Sequence, residues 1–183
     1  MIALFIILGI AALFLIYLIA TFNSFVRLRN LVKEGFATMD VYLKKRWDLV
    51  PNLVESVKGY AKHESGVLES VVALRNSSYD KMSSDDKIET NEKLTAGISR
   101  LFAVAERYPD LKASQNFLDL SSQLSKIEDD IANSRKYYNA VVKNMNTKIE
   151  MFPSNIIAKM FGFKRSKMFE AQESEKDVVR VEF

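Results

Sequence analysis

Residues 1–22 read Met1-Ile2-Ala3-Leu4-Phe5-Ile6-Ile7-Leu8-Gly9-Ile10-Ala11-Ala12-Leu13-Phe14-Leu15-Ile16-Tyr17-Leu18-Ile19-Ala20-Thr21-Phe22, and the first charged side chain in the chain is Arg27. A helix rises about 1.5 Å per residue, so about 20 apolar residues cross a hydrocarbon core of about 30 Å. The stretch predicts a transmembrane helix over 1–24, and every functional reading must work beside a bilayer. A cleaved leader fits less well. There is no charged n-region, the apolar part is long for an h-region, and no A-x-A site follows.

The charges next to this run predict its orientation. Between residues 27 and 46, Arg27, Arg29, Lys33, Lys44, Lys45 and Arg46 face only Glu34 and Asp40. The positive-inside tendency then puts the N-terminus outside and the following domain in the cytoplasm. The whole chain carries only +3, too little to suggest a nucleic-acid partner. Cysteine is absent, which excludes disulfides, thiolate metal sites and cysteine catalysis. Three prolines and six glycines in 183 residues allow long helices and argue against a sandwich or barrel.

Apolar residues past the anchor recur in steps of three and four, the seam of packed helices. Leu28, Leu31, Val32, Phe36 and Met39 extend the anchor's helix into water, and Pro51 is expected to stop or kink it near Asp48. A second helix is read from Val57, Tyr60, Glu64, Val67, Val71 and Leu74. A polar loop spans Ser77 to Asp86, with Ser83 and Asp86 spaced as a capping box. Ile88, Leu94, Ile98, Leu101, Ala105 and Tyr108 mark a third helix, ended by Tyr108-Pro109-Asp110. Phe117, Leu120, Leu124, Ile127, Ile131, Ser134, Tyr138, Val141 and Met145 mark a fourth. Each fully buried side chain in such a seam is worth about 1.5–3 kcal/mol. The predicted fold is all-α: an N-terminal transmembrane helix continuing into an antiparallel four-helix bundle over 25–150. A short amphipathic segment and tail over 151–183 complete it.

In that up-down order the chain returns to the bilayer near Ile149. Residues 152–169 then mix Ile156, Ile157, Met160, Phe161 and Phe163 with Lys159, Lys164, Arg165 and Lys167. The mix fits a helix lying in the interface, its cations and those of Arg27 and Lys33 toward lipid phosphates. It equally fits a segment folded onto its own bundle.

Several blocks carry a resemblance. They are Arg29-Asn30; Met39-Asp40-Val41; Leu43-Lys44-Lys45-Arg46-Trp47-Asp48-Leu49-Val50-Pro51-Asn52-Leu53-Val54-Glu55; and Val57-Lys58-Gly59-Tyr60-Ala61 with His63-Glu64. The pattern continues through Tyr108-Pro109-Asp110-Leu111-Lys112-Ala113, Asn116-Phe117-Leu118, Tyr138-Asn139 and Phe152-Pro153-Ser154-Asn155-Ile156-Ile157-Ala158. It closes with Phe161-Gly162-Phe163, Phe169-Glu170 and Val181-Glu182-Phe183. The sequence resembles the LemA family of prokaryotic membrane proteins, departing at Gly35-Phe36 and Trp47. The resemblance implies a membrane helix and a helical domain without a dependably assigned activity. It also implies envelope or membrane-stress contexts, with one relative building an intracellular membrane compartment.

Read from its residues, the polar block has a structural task. Asp40 and Lys44 have helical pair spacing. Asp48 and Asn52 flank Pro51, where backbone groups freed at a corner need partners. The block is read as fixing that corner, the alternative being a surface that another subunit reads.

Catalytic patterns fail one by one. His63 is the sole histidine, and Val67 stands where a zinc-protease helix needs a second. A metal site would have to recruit Glu64 or Asp129 across helices. No glycine loop cradles phosphate, and no Ser-Lys dyad is evident from the sequence. Glu128, Asp129 and Asp130 point to different sides of a helix and read as a solvated face. The expected protein is a non-enzymatic scaffold that needs no cofactor, with the lipid bilayer and copies of itself as partners. An adaptor that presents another protein to a membrane peptidase or sensor is the alternative.

Overall fold

The structure is a computed structural model and describes residues 1–75 and 78–169. Ser77, Glu170 and Val181-Glu182-Phe183 lie outside the described residues. The described chain is helical, without strands: α1 Ile2–Tyr60, α2 Ser65–Ala73, a 3-10 turn Tyr79–Lys81, α3 Ser84–Ala105, α4 Pro109–Lys112, α5 Gln115–Glu150 and α6 Ser154–Met160. It divides into two compact units. One joins 1–32 to the chain from Tyr138 onward, and the other is Lys33–Tyr137.

In the first unit, α1 opens with an apolar stretch long enough to cross a membrane, none of it covered by the rest of the chain. Burial begins at Thr21 and Phe25. Phe25, Met145, Ile157, Ala158 and Phe163 form the core, flanked by Phe22, Val26, Leu28, Val32 and Ile149. The Ser154 hydroxyl donates to the Lys148 and Met151 carbonyls and ties α6 to the end of α5. Gly162, at φ +71°, ends α6 in a left-handed turn. There the Phe163 N–H reaches the Ala158 carbonyl and the Gly162 N–H that of Lys159.

The second unit is built on a seam along α1. Met39, Leu43, Trp47, Val50, Leu53, Val54 and Val57 are buried. Buried in the same unit are Leu68 and Val71 of α2, Ile88, Leu94, Ile98, Leu101, Val104 and Ala105 of α3, Leu111 of α4, and Phe117, Leu124 and Ile131 of α5. Gly97 lets α3 approach α2: a Cβ there would stand 3.0 Å from Val71 Cγ2.

Of the expected stop or kink at Pro51, the stop is overturned, since α1 runs through it to Tyr60. The ring removes one helical hydrogen bond and crowds the preceding turn, at about 3 kcal/mol. Val50, Leu53, Val54 and Val57 around it are all buried, each worth about 1.5–3 kcal/mol. Packing therefore outweighs the local penalty, and the turn falls at Ala61–Glu64. Tyr60, expected in a second seam, is 48% exposed. α3 ends at Ala105, just ahead of the expected stop at Tyr108-Pro109-Asp110, and the short α4 starting at Pro109 was not expected from the sequence.

The capping box at α3 is complete. The Ser83 hydroxyl accepts from the Asp86 N–H, and the Asp86 carboxylate accepts from both the hydroxyl and the N–H of Ser83. Those two donors, the hydroxyl first, hold the Asp86 carboxyl below the usual carboxylate range.

Two outcomes follow from these local balances. Pro51→Ala should leave α1 helical and raise the unfolding free energy by about 2–2.6 kcal/mol, the interior-proline penalty less the chain entropy proline removes. A lowered melting temperature with loss of helix would restore Pro51 as a corner. Ser83→Ala should cost about 1 kcal/mol at neutral pH. Because the folded-state pKa of Asp86 is depressed, its contribution is present above the ordinary Asp range and lost as pH falls through the lowered value. The melting difference between wild type and Ser83→Ala should therefore narrow in that acidic window, and a difference indifferent to pH would refute the box.

Candidate functional site

The polar block lies on α1 inside the second unit, and helix geometry sorts its residues. Met39, Leu43, Arg46, Val50, Leu53 and Val57 step by four and three along one face, and all are buried. Arg46 is therefore a charged residue at a seam position, with no exposed surface. Its Nη1 donates to Thr95 Oγ1 at 2.9 Å and to Glu128 Oε1 at 2.5 Å. Its Nη2 donates to the Asn91 carbonyl at 2.8 Å and to Asn91 Oδ1. One guanidinium thus joins α1 to α3 and α5. Burial lowers its pKa from the ordinary value, and the Glu128 carboxylate acts in the opposite direction.

This corrects two expectations. Arg46, expected with the polar block at a helix corner, is carried into the core by its neighbours three and four residues away. Glu128 is not simply part of a solvated acidic face, because its carboxylate, 38% exposed, pairs with the buried Arg46. Asp129 is exposed as expected.

A second cluster surrounds Tyr79, whose hydroxyl donates to Asp40 Oδ1 at 2.6 Å. Lys87 Nζ donates to Asp40 Oδ2 at 2.7 Å and stands 4.5 Å above the Tyr79 ring. Trp47 lies 5.3 Å from that ring, and the Arg75 guanidinium lies 5.3 Å from Trp47. Burial, then the Asp40 hydrogen bond, raises the Tyr79 hydroxyl far above the ordinary phenol range. The expected Asp40–Lys44 pair is absent: Asp40 turns to Tyr79 and Lys87, and Lys44 pairs with Asp48 at 2.6 Å. Asp48 is thus bound along the helix rather than at a corner, and Asn52 is exposed. The block does not make the turn. Glu55 pairs with Lys58 at 3.3 Å, His63 is exposed, and Glu64 pairs with Arg107 at 2.9 Å.

In the first unit, Arg27, Arg29, Asn30, Lys159, Lys164 and Lys167 are exposed, as is Lys33 in the second. Arg165 pairs with Glu150 at 3.0 Å. Phe163 departs from its expected place on the membrane surface. It stacks on Phe25 at 4.8 Å, with the Arg29 guanidinium 5.5 Å above its ring. Phe161 is 45% exposed and lies 4.8 Å from Phe22.

Sequence reasoning missed the devices that hold residues 163–169. Asn139 exchanges two hydrogen bonds with the Phe169 backbone, each 2.9 Å. Asn146 does the same with Ser166 at 2.9 and 3.0 Å, and the Tyr138 hydroxyl donates to the Lys167 carbonyl. The available signal was two asparagines seven residues apart inside a long helix, where asparagine is a weak helix former. A Ser–Lys pair also exists: Lys148 Nζ donates to Ser24 Oγ and lies 5.4 Å from the Phe25 ring. Ser24 is mid-helix, where the adjacent N–H groups are engaged in the helix and supply no oxyanion hole. The pair works as a strut between α5 and α1. Among the described residues, no three His, Asp or Glu side chains converge as a metal site.

The Arg46 node carries a stability prediction. Arg46→Met leaves buried Asn91 and part-buried Glu128 without their donor, and should cost about 3–5 kcal/mol. Glu128→Gln should cost clearly less, because that carboxylate is partly wet and Asn91 still accepts. Equal losses in denaturant unfolding would contradict the geometry.

The chain is similar to several known proteins. Protein LemA of Metamycoplasma hominis is 28% identical over 177 residues, covering 94% of this chain and 79% of that protein. Magnetosome protein MamQ 2 of Paramagnetospirillum magneticum is 36% identical over 73 residues, 40% of this chain and 27% of that protein. Magnetosome protein MamQ of Magnetospirillum gryphiswaldense is 24% identical over 182 residues, 85% of this chain and 67% of its own length. The sequence model of the LemA family matches residues 35–183, and the chain belongs to the LemA family.

Proposed function

We propose that this protein is a single-pass membrane scaffold that acts without catalysis, by assembling copies of itself along the bilayer. The observation that carries the reading is the uncovered apolar stretch of α1, which needs a hydrocarbon environment. It is joined to helices whose inward charges are committed to one another. Arg46, reaching α3 and α5 from α1, supports an antiparallel bundle of α1, α2, α3 and α5. The cations after the anchor favour a cytoplasmic bundle with the N-terminus outside. Relatives named as LemA and magnetosome proteins support a membrane setting and carry no enzyme name.

Assembly draws its support from the outward half of the polar block. Asp48, Asn52 and Glu55 recur at four and three residues, so they share one side of α1, and all three are exposed. The adaptor reading rests on a different feature, an open groove of about 630 Å³ lined by Val54, Lys58, Leu68, Glu69 and Val72. A partner helix could lie there.

Amine-reactive crosslinkers on intact cells at native expression test these points together, using the exposed lysines of the bundle. A permeant reagent should give a ladder of self-adducts, and an impermeant one should not. Monomer alone with both reagents would overturn assembly. Self-adducts with both would reverse the orientation. One distinct protein captured in fixed ratio would favour the adaptor.

A further inference from the structure

A second contact with the bilayer follows from the end of α5 and from α6. Beyond Ile19, the large apolar side chains left exposed in the second unit are scattered singly, at Val41, Tyr60, Val72, Leu118 and Tyr137. Such isolated exposures are ordinary. In residues 151–161 the exposure is concentrated. Met151, Phe152, Ile156, Met160 and Phe161 are 58, 79, 59, 59 and 45% exposed. The same segment packs its other side inward, with Ile157 and Ala158 buried in the core of the first unit. The segment is two-sided, with an apolar side on each face.

Its position is fixed by aromatic contacts within that unit. Phe161 lies 4.8 Å from Phe22, and Phe163 lies 5.9 Å from it. A helix entering at Ile2 and rising about 1.5 Å per residue traverses a core of about 30 Å at about Thr21. Burial of α1 by its own chain also begins at Thr21. Phe161 is therefore at the level where α1 leaves hydrocarbon. Lys159 and Lys164 flank the patch and are exposed. Lys164 and Lys167 extend from a backbone held by the Asn139 and Asn146 bonds.

We propose that the side of residues 151–161 bearing Met151, Phe152, Ile156, Met160 and Phe161 lies in the headgroup layer of the bilayer that α1 crosses. Lys159 and Lys164 meet lipid phosphates there. The occupant of this patch is lipid because the patch adjoins the membrane helix and its rim is cationic. Phe163, Ile157 and Ala158 remain inside the protein. The contact restrains tilting of α1 and gives the unit a fixed height in the membrane. This inference rests on the reading of α1 as a membrane span.

The cysteine-free chain makes the test direct. Full-length single-cysteine variants Leu13→Cys, Ile156→Cys and Lys126→Cys carry an environment-sensitive fluorophore in phosphatidylcholine–phosphatidylglycerol vesicles. A deep and a shallow doxyl-labelled lipid serve as quenchers, the deep one for Leu13 and the shallow one for Ile156. Leu13 and Ile156 labels should be blue-shifted and quenched several-fold more than the Lys126 label, which reports an exposed site on α5. Quenching at Leu13 with Ile156 indistinguishable from Lys126 would overturn the second contact and leave the span intact. Quenching at neither would overturn the span itself. A blue shift at Ile156 without lipid quenching, accompanied by energy transfer between labelled copies, would overturn the lipid contact in favour of a second copy. Met160→Cys repeats the measurement on a second exposed side chain, so a local effect of labelling at Ile156 does not decide the result.

Discussion

A guanidinium without exposed surface sits where α1, α3 and α5 meet, and its geometry fixes how those helices are set against one another. An ordinary seam of Leu and Val tolerates sliding by a turn, since apolar contacts are nondirectional. Arg46 removes that freedom. Its donors satisfy Asn91 twice, Thr95 and Glu128. A shift of one turn would strand a buried charge, and that costs more than the original pair contributes. The role parallels that of a polar residue at one seam position of a coiled coil, which selects register at some cost in stability. Asp40 repeats the device at smaller scale by binding Tyr79 and Lys87.

The first unit uses another principle. Residues 163–169 form no helix or strand, and they are held through side-chain amides that act on the backbone as a neighbouring strand would. Asn139 and Asn146 each give and take a hydrogen bond, satisfying donors and acceptors of an irregular segment. The aromatic rings of Phe22, Phe25, Phe161 and Phe163 fill the space between that segment and α1. Lys148, bonded to Ser24 and facing the Phe25 ring, closes the same corner.

Much of this was readable from spacing. The long apolar start of α1, the seams of α3 and α5, the capping box at Ser83 and the stop ahead of Pro109 are local patterns, and local physics decides them. Pro51 was not readable, because its cost is local while the burial that overrides it comes from other helices. Arg46 was concealed by its chemical type. Counted among surface cations, it nonetheless occupies the next step after Met39 and Leu43. Asp40 was assigned to Lys44 by helical spacing, but its partners are 39 and 47 residues away. Phe163 was indistinguishable in sequence from Phe161, and only the turn at Gly162 separates an inward ring from an outward one.

The continuity of α1 through the polar block changes what that block can mean. Had the helix turned at Pro51, freed backbone groups would have explained Asp48 and Asn52. With α1 continuous to Tyr60, the inward residues Val50, Leu53 and Val54 are accounted for by packing. The outward residues Asp48, Asn52 and Glu55 are not. The ion pairs of Asp48 with Lys44 and of Glu55 with Lys58 are solvent-exposed, and such pairs contribute little, about 0–1 kcal/mol. Stability therefore gives no reason for these three side chains to be the ones they are. It is this outward stripe of two carboxylates and an amide, displayed along one side of α1, on which the assembly proposed above rests.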